Sequence, residues 1–334
     1  MAQTTFKAMV VTEDSPDRFS RRIAEKSIHD LPPGDLLIKV LYSSLNYKDA
    51  LSATGNRGVT KSYPHTPGID AAGVVIEGGG DDFKIGDPVL VTGYDLGMNT
   101  SGGFGQLIRV PVGWAVRKPD PLTLRESMIY GTAGFTAGLS VAKIVEHGIL
   151  PSHGDILVTG ASGGVGSLAV SVLSRIGYSV VASTGKTGEK EFLTQCGAKA
   201  IIHRDEINDK SKRPLLKSRF AGVVDTVGGD FLATALKSIA LHGAATCCGN
   251  VASPELHTTV FPFILRGVTL YGIDSANSPM EYRRKIWKKL AADWKPDHLE
   301  LLANEISPAE LDRHIDLILQ GKLRGRTIVR IQNL

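Results

Sequence analysis

Short apolar runs rich in β-branched residues alternate with turns of Gly, Pro and Asp from the start of the chain to about Pro121. The runs read KAMVV, DLLIKVLYSSLN, AAGVVIEGGG, GDPVLVTG and GFGQLIRV. Runs of this kind, bounded by such turns, are typical of β-strands. The pattern therefore predicts a mainly antiparallel β domain that needs no long helix.

The pattern changes near Leu122. The segment TLRESMIYGTAGFTAGLSVAKIVEHG has helical spacing and ends at Gly148, and the run ILVTG that follows is short enough for a buried strand. Further strand-like runs, SVVAST, AIIHR, GVVDTV, AATCCG and VTLYGID, alternate with helical segments. This alternation predicts an α/β domain over residues 122–275, with a doubly wound parallel sheet and helices on both faces.

The last part of the chain is helical and charged, and it ends in the strand-like run TIVRI. A terminal strand that follows helices needs a sheet edge to pair with. We expect it to return to the first β domain. Residues 1–121 and 276–334 then form one discontinuous domain.

Composition narrows the class of protein. The chain has 334 residues, of which 42% are hydrophobic and 22% charged, the profile of a globular enzyme with two domains. The formal net charge is only +4 and no dense Lys/Arg run occurs, which argues against nucleic acid as a partner. Anionic small molecules remain possible ligands.

Cysteine usage and the N-terminus bear on location. The three cysteines, Cys196, Cys247 and Cys248, have no metal-ligand spacing, and their odd number suits a reducing compartment. No basic segment followed by a long apolar one opens the sequence, and no apolar run is long enough to cross a membrane. We expect a cytoplasmic protein without membrane association.

The segment GASGGVGSLA, residues 160–169, follows a predicted buried strand and opens a helix. Glycines let a pyrophosphate approach main-chain N–H groups, and a helix N-terminus attracts negative charge. Two frames stay open: Gly164, Gly166 and Ala169 as G-x-G-x-x-A, or Ala161, Gly163 and Gly166 with the first glycine replaced. Either predicts a dinucleotide site, against the alternative of a tight turn without a ligand.

The next strand ends in Ser183, Thr184, Gly185 and Lys186, about 20 residues beyond the loop. An NAD enzyme carries an acid there, which bonds the ribose 2′-hydroxyl and would repel a 2′-phosphate. Ser183 and Lys186 can instead donate hydrogen bonds to that phosphate, and Arg204 at the end of the third strand can join them. The sequence therefore favours NADPH over NADH.

Several motifs resemble one family. NYKDAL (46–51), HTPGIDAAGVV (65–75), GTAGFTA (131–137) and the glycine loop resemble the medium-chain dehydrogenase/reductase superfamily. Within it, SSLNYKDA, DTVGG and TVFPFILRGVTLYGIDS resemble the YhdH-type quinone oxidoreductase group, which includes NADPH-dependent acryloyl-CoA reductases. The resemblance implies a Rossmann nucleotide domain beside a GroES-like catalytic domain. It also implies a homodimer paired through the edge strand VTLYGID.

The resemblance also has departures. Zinc-dependent members carry Cys at the position of Asn46 and His in a G-H-E motif where this chain reads Gly68-Ile69-Asp70, and residues 92–103 lack a four-cysteine lobe. We expect no metal, with His65 structural. Without a metal to polarise a carbonyl, hydride addition to the β-carbon of a conjugated C=C bond is the suitable chemistry, since a few hydrogen-bond donors can stabilise the enolate.

The resemblance implies the site residues. It places the catalytic candidates Asn46 and Tyr47 beside the nicotinamide, with Asp49 and Asp70 behind them. Tyr47 would donate to the cofactor or the enolate, Asn46 would orient either, and Asp70 would act there or simply hold a loop. Together with the residues at the ends of the second and third strands, the expected cofactor contacts are Tyr47, Ser162, Gly163, Gly164, Val165, Gly166, Ser183, Thr184, Gly185, Lys186, Arg204, Asn250, Val251, Ile264, Ser275 and Arg326.

Three functions remain open. The first is reduction of acryloyl-CoA to propanoyl-CoA, in which basic residues would meet the CoA phosphates. Candidates for that role are Arg57, Lys61, Arg324 and Arg326. The second is reduction of a quinone, which is also a conjugated acceptor. The third is an NADPH-binding sensor or structural protein without turnover, which the fold alone does not exclude.

Overall fold

The computed structural model describes residues 5–334, which form two compact units. Unit 1 contains the described residues up to Thr132 together with Ala276–Lys285 and Ala303–Leu334, and unit 2 contains Ala133–Ser275 and Ile286–Leu302.

These boundaries differ from those expected from the sequence, 121/122 and 275/276. Residues 122–132 group with unit 1, where Arg125 Nε donates to Glu305 Oε2 at 2.6 Å. Residues 286–302 group with unit 2, where the ring of Trp287 stacks on Phe135 with centroids 6.2 Å apart. Both differences arise from packing between distant segments, which a reading along the chain does not contain.

Fifteen strands and eight helices lie in the described residues. The strands are β1 Thr5–Ser15, β2 Arg18–Ser27, β3 Leu36–Leu45, β4 Asp70–Gly78, β5 Pro88–Thr92, β6 Leu107–Val110, β7 Ala115–Arg117, β8 Ile156–Val158, β9 Val180–Thr184, β10 Ala200–His203, β11 Phe220–Asp225, β12 Ile239–Cys247, β13 Thr269–Gly272, β14 Ala303–Ile306 and β15 Arg326–Arg330. The helices are α1 Tyr47–Ser52, α2 Leu124–Glu146, α3 Gly164–Arg175, α4 Lys190–Gln195, α5 Gly229–Lys237, α6 Phe261–Arg266, α7 Met280–Ala291 and α8 Leu311–Leu319.

Unit 2 is built on a parallel sheet of six strands in the order β10-β9-β8-β11-β12-β13. Counted from its first strand, this is the order 3-2-1-4-5-6 of the Rossmann fold, so the predicted doubly wound sheet is confirmed. In such sheets ligands bind outside the carboxyl ends of the strands where the order reverses. Here that place lies after β8 and β11.

Unit 1 contains a seven-stranded sheet in which β14, β15, β3, β4, β5 and β7 follow one another and β6 also pairs with β3. The terminal strand β15 runs antiparallel to β3, as expected from the sequence. A separate ribbon pairs β1 with β2, whose sequence RFSRRIAEKS was not predicted as a strand. No residue of β2 is buried, so it lacks the apolar alternation on which strand prediction depends.

Helix α2 is interrupted at Gly131, whose φ of 50° and ψ of −153° are not helical. By length and composition it is the one helix of the described residues that could cross a membrane. Because 83% of its apolar window is buried within the protein, it has the character of a core helix. Residues on either side of the interruption form hydrogen bonds with buried polar side chains.

Candidate active site

In unit 1 the candidate residues gather around the start of α1. Asn46 precedes the helix with extended backbone, and its N–H donates to Asp49 Oδ2 at 2.7 Å. The other oxygen of that carboxylate, Asp49 Oδ1, accepts from the N–H of Ile69 at 2.7 Å. Asp49 therefore fixes the first turn of α1 and ties it to the segment that enters β4.

Tyr47 is the first residue of α1 and is 41% exposed. Its hydroxyl has no hydrogen-bond partner among the residues that the structure describes. Asn46, Asp49 and Asp70 are buried. Of the four predicted catalytic residues, Tyr47 is thus the one with a polar group free to meet a ligand.

Asp70 lies at the start of β4 and is fully buried. Its carboxylate accepts from Ser44 Oγ at 2.6 Å, from Asn46 Nδ2 at 2.7 Å and from Thr132 Oγ1 at 2.6 Å. The main-chain N–H of Thr132 points at the same carboxylate, 2.9 and 3.0 Å from its oxygens. Both carboxylate oxygens are therefore occupied by donors from within unit 1.

Arg326, which lies at the start of β15, is predicted as a cofactor contact and as a candidate cation for CoA, but the structure buries it. It is only 3% exposed. Its guanidinium donates to Ile129 O at 3.0 Å, to Asn46 Oδ1 at 3.3 Å and to Ser44 Oγ at 2.8 Å, and Nη2 lies 3.8 Å from Asp70 Oδ2. A guanidinium committed to these acceptors belongs to the buried network of unit 1.

The amide of Asn46 is engaged on both sides. Its nitrogen donates to Asp70 Oδ2 and, at 3.2 Å, to Ser44 O, while its oxygen accepts from Arg326 Nη1. Both N–H groups are used, so Asn46 has none left for a cofactor or substrate. The structure places it as a link between the network and α1.

Burial shifts the ionisation of this cluster. Loss of solvation, reinforced by the charge of Asp70, raises the pKa of Asp49 to about 7. Loss of solvation also lowers the pKa of Arg326, against the opposing effect of Asp70 and Asp49. The buried carboxylates and guanidinium are thus held by neighbours rather than by water.

In unit 2 the glycine loop connects β8 to α3. Gly160 has a φ of +60°, and a Cβ on Gly166 would stand 2.3 Å from the carbonyl oxygen of Gly160. Gly163 directly precedes α3, and a Cβ there would lie 3.3 Å from the same oxygen, which is a tight contact. The constrained glycines thus recur every third residue, at 160, 163 and 166, and neither frame considered from the sequence includes Gly160. The first N–H groups of α3 at this loop have no partner within the helix.

The predicted 2′-phosphate residues meet at the carboxyl ends of β9 and β10. A Cβ on Gly185 would lie 2.8 Å from Cδ of Arg204, so the missing side chain lets the exposed arginine lie against the main chain. Lys186 is half-buried, and burial lowers its pKa. Ser183, by contrast, is only 2% exposed. The structure brings two cations together here, with the serine beneath the surface.

Thr184 joins this corner to the glycine loop. Its Oγ1 lies 3.0 Å from Oγ of Ser162 and accepts the N–H of Lys186 at 3.1 Å. The predicted pyrophosphate and 2′-phosphate residues therefore share one hydrogen-bonded corner of unit 2.

Asp225, at the end of β11, is a residue that sequence reasoning missed. Its buried carboxylate accepts from Thr159 Oγ1 at 2.6 Å and from the N–H of Gly228 at 2.8 Å, and burial raises its pKa. Thr226 Oγ1 donates in turn to Thr159 O at 2.9 Å. Asp225 thus fixes the ends of β8 and β11 at the point where the strand order reverses. The quoted motif DTVGG contains it, and an acid at the end of a predicted buried strand was the available signal.

The remaining predicted cofactor contacts also lie in unit 2. Asn250 and Val251 follow β12 and are exposed, Ile264 is an exposed residue of α6, and Ser275 is half-buried. Gly164 and Val165 begin α3 and are half-buried. Their contact with a cofactor stays a prediction.

The chain is similar to two protein families and to several named proteins. Residues 32–120 match the family described as "Alcohol dehydrogenase GroES-like domain", and residues 164–292 match "Zinc-binding dehydrogenase". The acrylyl-CoA reductase AcuI of Ruegeria pomeroyi is 40% identical over 98% of this chain and 99% of its own length. A Bacillus subtilis protein with the provisional name quinone oxidoreductase YhfP is 42% identical over 98% of this chain and 99% of its own length. The chain belongs to the medium-chain dehydrogenase/reductase superfamily.

Two solved structures of superfamily members support the fold. The yhdH oxidoreductase of Salmonella enterica in complex with NADP has a TM-score of 0.94 at 40% identity, covering 97% of this chain and 99% of that one. The yhfP protein of Bacillus subtilis with NAD bound has a TM-score of 0.95 at 42% identity, covering 98% of this chain and 100% of that one. The expected combination of a Rossmann domain and a GroES-like domain is confirmed.

One of the two matching families is described as zinc-binding, whereas this chain lacks the expected zinc ligands. The ligand positions expected for zinc-dependent members hold Asn46, whose amide is committed, and Ile69, which has no donor atom. In the described part of the chain, no three His, Cys, Asp or Glu side chains are grouped to hold a metal ion. Tetrahedral zinc sites are built from Cys, His and carboxylate ligands, so these residues do not fit a catalytic zinc.

Proposed function

We propose that the protein is a zinc-independent, NADPH-dependent reductase of C=C bonds conjugated to a carbonyl, with acryloyl-CoA as its substrate and propanoyl-CoA as its product. The observation that carries this proposal is the occupation of the metal-ligand positions by a committed amide and an alkyl side chain. Conjugate reduction needs no metal on the carbonyl, because charge moves to an oxygen that hydrogen bonds can stabilise. The similarity to AcuI over nearly the whole chain supports this substrate.

The proposed cofactor domain is residues 122–275, which include Ala133–Ser275 of unit 2, and the proposed catalytic domain is residues 1–121 and 276–334. The loop from Ser162 to Gly166 would hold the pyrophosphate on main-chain N–H groups, and Lys186 with Arg204 would hold the 2′-phosphate. When bound, NADPH supplies the hydride. The loop takes its tight form because these positions have no side chain: a Cβ on Gly160 would lie 2.4 Å from Thr226 Oγ1, and one on Gly166 would lie 2.3 Å from Gly160 O.

Tyr47 is the proposed catalytic residue. Its exposed hydroxyl can donate a hydrogen bond to the enolate oxygen that forms as the C=C bond is reduced. The buried Asn46, Asp49 and Asp70 hold the turn from which Tyr47 projects. This arrangement assigns the chemistry to one hydroxyl and the geometry to the residues beneath it.

A quinone is the second candidate acceptor, favoured by the similarity to YhfP. The deciding experiment is the initial rate of NADPH oxidation with acryloyl-CoA and with 1,4-benzoquinone, each repeated with NADH. We expect kcat/KM to be higher for acryloyl-CoA by orders of magnitude. A preference for benzoquinone would make the enzyme a general conjugate reductase. Thermal stabilisation by NADPH without turnover of any acceptor would indicate a binding protein instead.

Two variants test Tyr47 in the same assay. Tyr47→Phe removes only the hydroxyl, and we expect kcat for acryloyl-CoA to fall about 100-fold, the effect of losing one oxyanion donor. Tyr42→Phe is the matched control, since Tyr42 lies on β3 with its ring near the guanidinium of Arg330. An equal loss in both variants would remove Tyr47 from the mechanism.

The cofactor preference has its own test. Replacing both Lys186 and Arg204 by Ala should weaken NADPH binding by about 100-fold or more, because each charge-assisted hydrogen bond is worth about 1.5–3 kcal/mol. NADH lacks the 2′-phosphate, so its affinity should stay within about threefold. Equal losses for both cofactors in fluorescence titration would contradict this assignment.

We also propose that the protein is a homodimer and is cytoplasmic. A homodimer is supported by β13, which ends the sheet of unit 2, and by the exposed apolar residues Phe261, Ile264 and Leu265 on α6 beside it in sequence. Sedimentation equilibrium at micromolar concentration tests this, and a monomer would contradict it. A cytoplasmic location is supported by three free cysteines. Immunoblotting of cell fractions tests the location.

Two of the candidate cations for the CoA phosphates, Arg57 and Lys61, differ in their contacts. Arg57 is paired with Glu13 at 2.6 Å, which leaves the exposed Lys61 as the less committed of the two.

A further inference from the structure

We propose that Thr132, Asp70 and Arg326 form a positioning network that caps the break in α2 and, through Asn46, fixes Tyr47. The inference rests on the proposed function for the role of Tyr47. It assigns to Thr132 a role that neither its sequence context nor the similarity to known proteins indicates.

The break in α2 creates an unmet need for hydrogen bonds. A helix interrupted at Gly131 loses main-chain bonds on both sides of the interruption, and such groups cost free energy when they are buried without partners. On the downstream side, the N–H of Thr132 donates to the carboxylate of Asp70. On the upstream side, the carbonyl of Ile129 accepts from Arg326 Nε at 3.0 Å. The buried acid and base thus satisfy one side of the break each.

The same two side chains hold Asn46. Asp70 accepts from the amide nitrogen of Asn46, Arg326 donates to its oxygen, and Ser44 bridges the pair by donating to Asp70 and accepting from Arg326. Asn46 directly precedes Tyr47. The position of the catalytic hydroxyl is therefore connected by buried hydrogen bonds to a residue 85 positions further along the chain.

Space at the break is fully used. A Cβ at Gly131 would stand 2.4 Å from Asp70 Oδ2, 2.5 Å from Ser44 Oγ and 3.0 Å from Arg326 Nη2. The network can reach both sides of the break because no side chain stands there. Interiors packed this closely have discrete arrangements, so loss of one donor changes the position of its neighbours.

Thr132→Val is the most selective test, because valine keeps the shape and the main-chain N–H and removes only the hydroxyl that donates to Asp70. We expect kcat to fall about tenfold or more, as misplacement of a catalytic group does, with the Kd for NADPH unchanged within about twofold. Thr132→Ser restores the hydroxyl and should restore kcat. The control is Ser127→Ala, which removes a buried hydroxyl of the same helix whose partner is the carbonyl of Thr123.

Hydrogen–deuterium exchange of the peptide 44–52 gives a readout that does not depend on turnover. We expect its amides to exchange about fivefold faster in Thr132→Val than in the wild type and Ser127→Ala, because a loosened cap lets α1 open locally. Unchanged exchange, or a loss of kcat no larger than that of Ser127→Ala, would overturn the network. If the wild type reduces no acceptor, the proposed function fails while exchange still decides the positioning. Should Thr132→Val not fold, Asp70→Asn is measured in the same way.

Discussion

The candidate sites of the two units are built from different groups of the chain. In unit 2 the candidate site is built from main chain: glycines at 160 and 166 allow the tight turn after β8, and the start of α3 offers N–H groups. In unit 1 it is built from side chains, since Asp70 and Arg326 are buried among hydroxyl and amide partners. A backbone site tolerates changes of side-chain polarity, whereas a buried polar network does not, because each lost partner strands a charged group.

The sharpest test of this contrast is the glycine at the break of α2. Gly131→Ala places a Cβ 2.4 Å from Asp70 Oδ2 at a φ of +50°, so it adds both overpacking and backbone strain. We expect the free energy of unfolding to fall by about 2–5 kcal/mol, measured by urea denaturation. Gly113→Ala is the control in the same unit, where a Cβ meets nothing within 4 Å. A loss of under about 1 kcal/mol would show that the network yields easily.

A pair of buried serines tests the contrast directly. Ser44→Ala removes a bridge between two charged groups and should cost about 1.5–3 kcal/mol of unfolding free energy. Ser162→Ala, in the glycine loop, removes one bond to Thr184 and should cost about 0.5–1.5 kcal/mol, with NADPH affinity kept within about threefold. Calorimetry and cofactor titration measure both. Equal losses of unfolding free energy, or loss of NADPH binding in Ser162→Ala, would contradict this difference between the units.

Stability should also depend on pH through Asp49. An ordinary aspartate ionises near pH 3.8, whereas Asp49 holds its proton to about pH 7 in the folded state. Between these values the folded state binds more protons than the unfolded chain, so this group makes stability fall as pH rises from about 4 to 7. Asp49→Asn should flatten that slope by at most about 1.4 kcal/mol per pH unit. Asp81→Asn, an exposed acid, is the control, and an equal slope in wild type and Asp49→Asn would contradict the shift.

The sequence indicates which residues of the proposed cofactor site lie near one another, but it does not indicate the network of unit 1, and the reason is physical. The strand, the glycine loop and α3 are neighbours along the chain, and the cations at 186 and 204 follow strands whose ends must share one edge of a parallel sheet. The network of unit 1 joins residues 44, 46, 70, 132 and 326, which only tertiary packing brings together. Arg326 illustrates the difference: as a letter it is a surface cation, whereas in the fold it is buried.

Misses in secondary structure have a similar cause. The strand β2 has no buried residue, and β7 is three residues long, so neither has a periodicity to recognise. The break at Gly131 was not predicted, because the segments on both sides of it have helical spacing. The glycine was the available signal, but single glycines occur within helices, so it could not indicate a break without the contacts to Asp70 and Arg326.

The shared hydrogen bonds of Asn46 also restrict the routes by which this site can change through successive substitutions. Exchanging Asn46 for a cysteine would take a donor from Asp70 and an acceptor from Arg326 at once, and adding a histidine at position 69 would not return them. The effects of such changes are coupled, because the residues share partners. A lineage moving between this site and a metal site must therefore alter the acid, the base and the ligand positions together, or pass through intermediates with a destabilised unit 1.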